Sequence, residues 1–118
     1  MTLDNLLSLH KQLSGEACKL METKNHDYTS GSADPFANFR ASEAIGVSSK
    51  LALLVRMLDK LKRMQTFAEQ GQLKVKDESV RDAVIDVINY SVLFYGLTKE
   101  KPHDQDVLKL RDPEPTGC

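Results

Sequence analysis

The chain has 118 residues, with 16 Lys and Arg against 17 Asp and Glu, a formal net charge of −1 at neutral pH. That length suits one domain with a small but real core, and the balanced charge lacks the basic stripe of a nucleic-acid binder, so no direct nucleic-acid partner is expected. No apolar run reaches the roughly 18–20 residues that cross a bilayer, and the first residues lack the basic region of a signal peptide. Cys18 and Cys118 have neither metal-ligand nor disulfide-framework spacing, so a reduced, cytoplasmic chain with no membrane partner is the simple expectation.

Residues 1–98 read as a single all-α domain and residues 99–118 as a charged, proline-containing tail. The first helix spans residues 2–24, where Leu3, Leu6, Leu7, His10, Leu13, Ala17, Leu20 and Met21 recur at three and four. Thr2 is its N-cap and Asp4 suits the positive end of the helix dipole. His10 reads as a packed or boundary histidine, since no second ligand lies beside it at helical spacing.

The stretch KNHDYTSGSADPFANFR, residues 24–40, reads as a long connection. Ordered loops of that length are often functional, and Lys24, Asn25, His26, Asp27, Tyr28, Asn38 and Arg40 offer groups that read a polar ligand. Phe36 and Phe39 would anchor it. The plainer reading is a surface loop with turns at Ser30–Gly31 and Asp34–Pro35.

Residues 41–47 suit one helical turn stopped by Gly46. Ser48 or Ser49 then caps a helix to about residue 70, with Leu51, Leu54, Val55, Leu58, Leu61, Met64 and Ala68 expected inward and Gly71 at its C-terminal end. Its polar side carries Arg56, Asp59, Lys60 and Arg63. Asp59 there reads either as one rung of a surface ion-pair ladder or as a ligand.

The last long helix, 77–97, is expected to be capped by Asp77 and to bury Val80, Ala83, Val84, Val87, Ile88, Ser91, Phe94 and Tyr95, with Ile85 and Val92 outside that face. Glu78, Asp82, Asp86 and Asn89 form one line along it. Acids in a row repel one another, and burial raises the cost to several kcal/mol per ion unless a cation compensates. That cation is either a metal ion or a Lys or Arg from a neighbouring helix. If the last two helices pack antiparallel, Asp59 faces Asp82 and Asp86, and these acids with Glu78 would suit Mg²⁺ or Mn²⁺. Lys24, Arg56, Lys60 and Arg63 would balance a polyphosphate. No phosphate-binding glycine loop or Ser/His/Asp or Cys/His nucleophile is visible, so any phosphate chemistry would be metal-based.

Three stretches in order, KNHDYTSGSADPFANFR, the run Arg56–Met57–Leu58–Asp59–Lys60–Leu61–Lys62–Arg63, and DESVRDAVIDVINY, resemble the first type of nucleotide modification associated domain over roughly residues 20–97. That family is found largely in bacteriophages and is placed in the all-α, MazG-like nucleoside triphosphate pyrophosphatase group. The resemblance implies a helical bundle completed by dimerisation, acting in the host cytoplasm if phage-encoded. It implies a metal-dependent attack of water on the α-phosphate, releasing a nucleoside monophosphate and pyrophosphate. Asp82 and Asp86 fall in the ligand positions of the acid-bearing helix, with Asp59 as the third catalytic acid. The group's usual Glu-x-x-Glu on the preceding helix is absent here, and Glu78 and Glu22 are the available replacements. Lys24, Asp27, Tyr28, Asn38, Arg40, Arg56, Lys60, Arg63 and Asn89 are the candidate nucleotide-binding residues. Two further readings stay open: a non-catalytic nucleotide-binding protein of the sequestering or modification-associated kind, and a purely structural bundle.

Overall fold

The computed structural model describes residues 1–29, 34–73 and 79–100, apart from the side chains of His26, Tyr28 and Thr29. Glu78, Asp77 and the tail from residue 101 lie outside the described residues. Those described are helical, with no strand among them: α1 is Leu3–Thr29, α2 the short turn Ala37–Arg40, α3 Ser49–Gln70 and α4 Val80–Lys99, with a 3-10 helix at Ala41–Ile45 between α2 and α3.

The helix ends follow local chemistry. The Thr2 hydroxyl accepts from the Asn5 N–H at 3.1 Å, and the Ser48 hydroxyl accepts from Leu51 N–H at 3.1 Å. Gly71 closes α3 in the left-handed region at φ 77°, its N–H donating to the Phe67 carbonyl, a conformation in which a Cβ is strained. Gly46 ends the 3-10 helix in the same region at φ 83°.

Three expectations are corrected. First, α1 does not stop at residue 24 but continues to Thr29, so Lys24, Asn25, His26, Asp27 and Tyr28 are helical. Nothing before Ser30–Gly31 breaks the chain, and adding a residue to a formed helix costs little. Second, Ser79 rather than Asp77 caps α4. Its hydroxyl accepts from the Asp82 N–H while the Asp82 carboxylate accepts from the Ser79 N–H, a reciprocal capping box.

The third correction concerns which faces turn inward. Lys60 meets Asp86, and Leu53 joins Leu97 in one cluster, so α3 and α4 run antiparallel. Glu16 pairs with Arg81 and Lys24 with Asp86, so α1 runs parallel to α4. Thus α4 lies between two helices that scarcely touch each other. Leu53 is fully buried, whereas Leu51, Val55, Leu58 and Leu61 of the expected inward stripe are exposed, Val55 and Leu58 by more than 60%. On α4 the buried arc runs through Ala83, Ile85, Asn89 and Leu97, while Val92 and Tyr95 are exposed. Both helices have therefore turned their charged edges toward each other. The aliphatic stripe of α3 lost the inward position because Lys60 and Arg56 find partners there, in Asp86 and the ring of Phe39.

The apolar core sits at one end, where Phe36, Phe39, Leu53 and Leu97 pack with Tyr90, Leu93 and Phe94. A Cβ at Gly96 would lie 3.0 Å from the Phe36 ring, so glycine there lets α2 close onto α4. Among the described residues no helix is long and apolar enough to cross a membrane.

Candidate functional site

Because α1 and α3 flank α4 without closing over it, a cleft of about 580 Å³ opens between them. Its floor is one strip of α4: Asp86, then Asn89 and Tyr90, then Leu93. These positions share a face at spacings of three and four. Cys18, Met21, Glu22 and Asn25 of α1 make one wall on the same logic, joined by Lys24. Arg56 of α3 stands opposite, and Pro35, Asn38 and Phe39 close the end over the apolar core. Cys18 is disulfide-bonded rather than the free thiol expected from the spacing.

Asp86 is the charged centre of this cleft. Its side chain is 13% exposed, with Oδ2 at 3.0 Å from Lys60 Nζ and Oδ1 at 3.5 Å from Lys24 Nζ. The compensating charge demanded by the acid line is therefore supplied, at Asp86, by lysines from both flanking helices. Leaving either a buried carboxylate or a buried ammonium alone would be costly, so this bridge fixes how the three helices meet. Arg56 lies over the Phe39 ring at 4.9 Å from its centroid, a cation–π arrangement that forms a flat ledge at the cleft edge.

Glu22 stands in the cleft wall with Asp86, but the other two acids of the expected set are elsewhere. Asp59 is 62% exposed and pairs with Arg63 at 3.5 Å, one turn along the same helix. Asp82 is exposed and bound to the Ser79 cap, whose backbone N–H and hydroxyl, together with nearby Arg81 and Lys60, hold its carboxyl below the ordinary range against a small burial effect. Among the described residues no three His, Cys, Asp or Glu side chains come together as a metal site, and Glu78 lies outside them. The convergence of Asp59 with Asp82 and Asp86 expected from antiparallel packing does not occur in one subunit, because each acid is engaged by a different partner. Asp59, Asp82 and Asp86 of one subunit do not by themselves make up a magnesium centre.

Of the candidate nucleotide-binding residues, Lys24, Asn38, Arg56 and Asn89 line the cleft and Lys60 reaches it through Asp86. Arg63 is spent on Asp59, and Asp27 is exposed outside the cleft lining. The Tyr28 side chain lies outside the described residues. Arg40 belongs to a second hollow of about 530 Å³, between the start of α3 and the end of α4. There it bonds Asp34 at 2.7 Å and also Glu100. Burial pushes the Asp34 carboxyl up, but the bonds from Arg40 and the Phe36 N–H outweigh it and hold it below its usual value. In the same hollow the buried Ser49 hydroxyl donates to Glu43 at 2.5 Å. Arg40 thus locks the end of α4 onto α2.

Sequence reasoning named Glu22, Lys24 and Asn25 of the α1 wall but missed Cys18, Met21, Tyr90 and Leu93 as site residues. The signal was there in part: Tyr90 is four residues after Asp86, and Cys18, Met21, Glu22 and Asn25 share one face once α1 is extended past residue 24.

The family model of nucleotide modification associated domain 1 matches residues 24–95, more than half of the chain and the whole of the cleft floor. An RNA pseudouridine synthase of Bacillus subtilis, named as uncharacterised, is 32% identical over 85 residues, 70% of this chain but 26% of that protein. The chain thus spans about a quarter of that relative's length, and no solved structure matches it. Length of match, order of motifs and the helical cleft agree, and the chain belongs to the nucleotide modification associated domain 1 family.

Proposed function

We propose that the protein is a nucleotide-binding protein and that the cleft between α1 and α3 is where the nucleotide sits. The observation that carries this reading is the pairing, in one cleft, of three cations with hydrogen-bonding and aromatic groups. Lys24 and Lys60 gather on Asp86, Arg56 stands over Phe39, and Asn38, Asn89 and Tyr90 line the rest. Cations of this kind hold phosphate oxygens, and a mostly apolar cleft with a few fixed polar groups orients the remainder of a small ligand. The family match adds nucleotide modification as the setting, and such a role belongs in the cytoplasm, that of the host if the protein is phage-encoded.

A second reading is a MazG-like, metal-dependent nucleoside triphosphate pyrophosphatase. It is favoured by Asp86 standing in the cleft at a position that resembles a metal ligand of that group. It requires further acids from outside the described residues or from a second subunit. A second subunit has an obvious seat: Leu51, Leu54, Val55, Leu58 and Leu61 present an exposed aliphatic stripe at helical spacing, and stripes of this kind mark interaction surfaces.

Incubation with a panel of nucleoside and deoxynucleoside triphosphates, in Mg²⁺ or Mn²⁺ and separately in EDTA, distinguishes the readings. Binding that persists in EDTA, with every triphosphate recovered intact by chromatography, supports the nucleotide-binding reading. Conversion to monophosphate and pyrophosphate, lost in Asp86→Asn, supports the pyrophosphatase. Folded protein that neither binds nor converts any nucleotide overturns both.

A further inference from the structure

The Asn89 side chain is 9% exposed and lines the cleft, yet no hydrogen bond joins its amide to any described residue. Buried amides in folded proteins are almost always paired, because an unpaired one loses its bonds to water and gains nothing in return. The amide is thus a polar group held in readiness at the middle of the floor. From this we infer that Asn89 is the specificity-determining residue of the cleft and that it reads the base of the bound nucleotide. The inference rests on the nucleotide reading above.

Three features fix the class of group it would read. An amide presents one acceptor beside two donors, so its complement is an edge with a donor and an acceptor side by side. Nucleobase edges have that form, and a phosphate, which only accepts, does not. The floor is graded as well. Over the seven residue steps from Asp86 to Leu93, about 10 Å of helix, it passes from charge through amide and phenol to hydrocarbon. Phosphates would sit at the Asp86 end with Lys24 and Lys60, and the base at the Asn89–Leu93 end. Arg56, flat on Phe39, offers a planar ledge there of the kind bases stack on. The base is therefore read from α4, not from Arg40, which its bonds to Asp34 and Glu100 hold in the other hollow.

The test compares equilibrium binding of the four nucleoside triphosphates and of inorganic triphosphate to the wild type, Asn89→Leu and Asn89→Asp, in EDTA. Circular dichroism melts establish that each variant is folded. The leucine variant keeps the branching of the side chain, with more bulk, and removes both donor and acceptor. The aspartate variant keeps the shape but only accepts. The expected result is a wild-type preference for one base of about tenfold or more, abolished in Asn89→Leu with inorganic triphosphate binding unchanged. Asn89→Asp is expected to change the ranking of bases. A preference that survives Asn89→Leu, or a wild type that binds all bases alike, overturns the inference and leaves the nucleotide reading standing. If neither nucleotides nor triphosphate bind the wild type, the nucleotide reading fails and this inference with it. A leucine variant that only melts higher, with binding unaltered, would mean that Asn89 holds no more than a water molecule, which also overturns it.

Discussion

The two faces of α3 have opposite characters, and the polar one is turned toward the rest of the chain. Arg56 and Lys60 point at the cleft, where Lys60 is 16% exposed against Asp86. Leu51, Val55 and Leu58, on the opposite side, face outward. In a self-sufficient small bundle the assignment would be reversed, since burying aliphatic surface is worth about 25 cal/mol per Å² and buried charge is costly unless paired. A helix arranged this way leaves its apolar stripe facing outward and turns its charged edge to the cleft. The same contrast separates the aspartates. Asp86 is built into the junction of three helices, while Asp59 is paired along its own helix and Asp82 is bonded into its own helix cap.

The contrast is broken most severely at Asp86. Replacing it by alanine takes this carboxylate from the largely buried Lys60 and leaves Lys24 beside it, and urea unfolding should show a loss of about 2 kcal/mol or more. If Asp86 were merely one of a row of repelling acids, the variant would be more stable than the wild type. Asp59→Ala is the matched control, expected within about 0.5 kcal/mol of wild type because exposed ion pairs contribute little.

The outer face is tested by Leu58→Glu. If that stripe seats a second copy, sedimentation should show a dimer for the wild type and a monomer for the variant. A wild type that stays monomeric at high concentration would remove the proposed dimer. The single-subunit fold itself should be nearly indifferent to this exposed substitution.

The smallest effect lies at the start of α4. Ser79→Ala removes the hydroxyl that caps the helix and should cost about 1 kcal/mol. The Asp82 carboxyl titrates below its ordinary value in the folded protein because of the Ser79 contacts. Such a group adds stability that is present above its unfolded pKa and lost as pH falls through the folded one. The difference between wild type and Ser79→Ala should therefore shrink as the solution is acidified through the carboxylate range. A difference that grew on acidification would contradict the capping box.

Much of the helical frame was legible in the residues themselves. Thr2, Ser48 and Gly71 act where their chemistry placed them, and the demand for positive charge along the Asp86 line proved sound. Helical rotation was not legible. Periodicity finds an apolar stripe on α3 but does not say whether this chain or another surface covers it, and the pairing of Lys60 with Asp86 is a contact between segments far apart in sequence. The extension of α1 through residues 24–29 was hidden because Asn, His, Asp, Tyr and Thr are weak helix formers, and tertiary contacts such as Lys24 to Asp86 override that preference. Asp82 stands on the acid line that suggests a ligand, and the structure shows it completing the Ser79 cap, as an acid three residues after a serine can.

The most direct test of the central claim is amide hydrogen exchange with and without saturating nucleotide in EDTA. A ligand in the cleft should protect residues 18–25 of α1 and 86–93 of α4, leaving the exposed stretch around Asp59 and the hollow beside Arg40 unchanged. Protection confined to either of those regions, or no protection under conditions where binding is saturated, would contradict it.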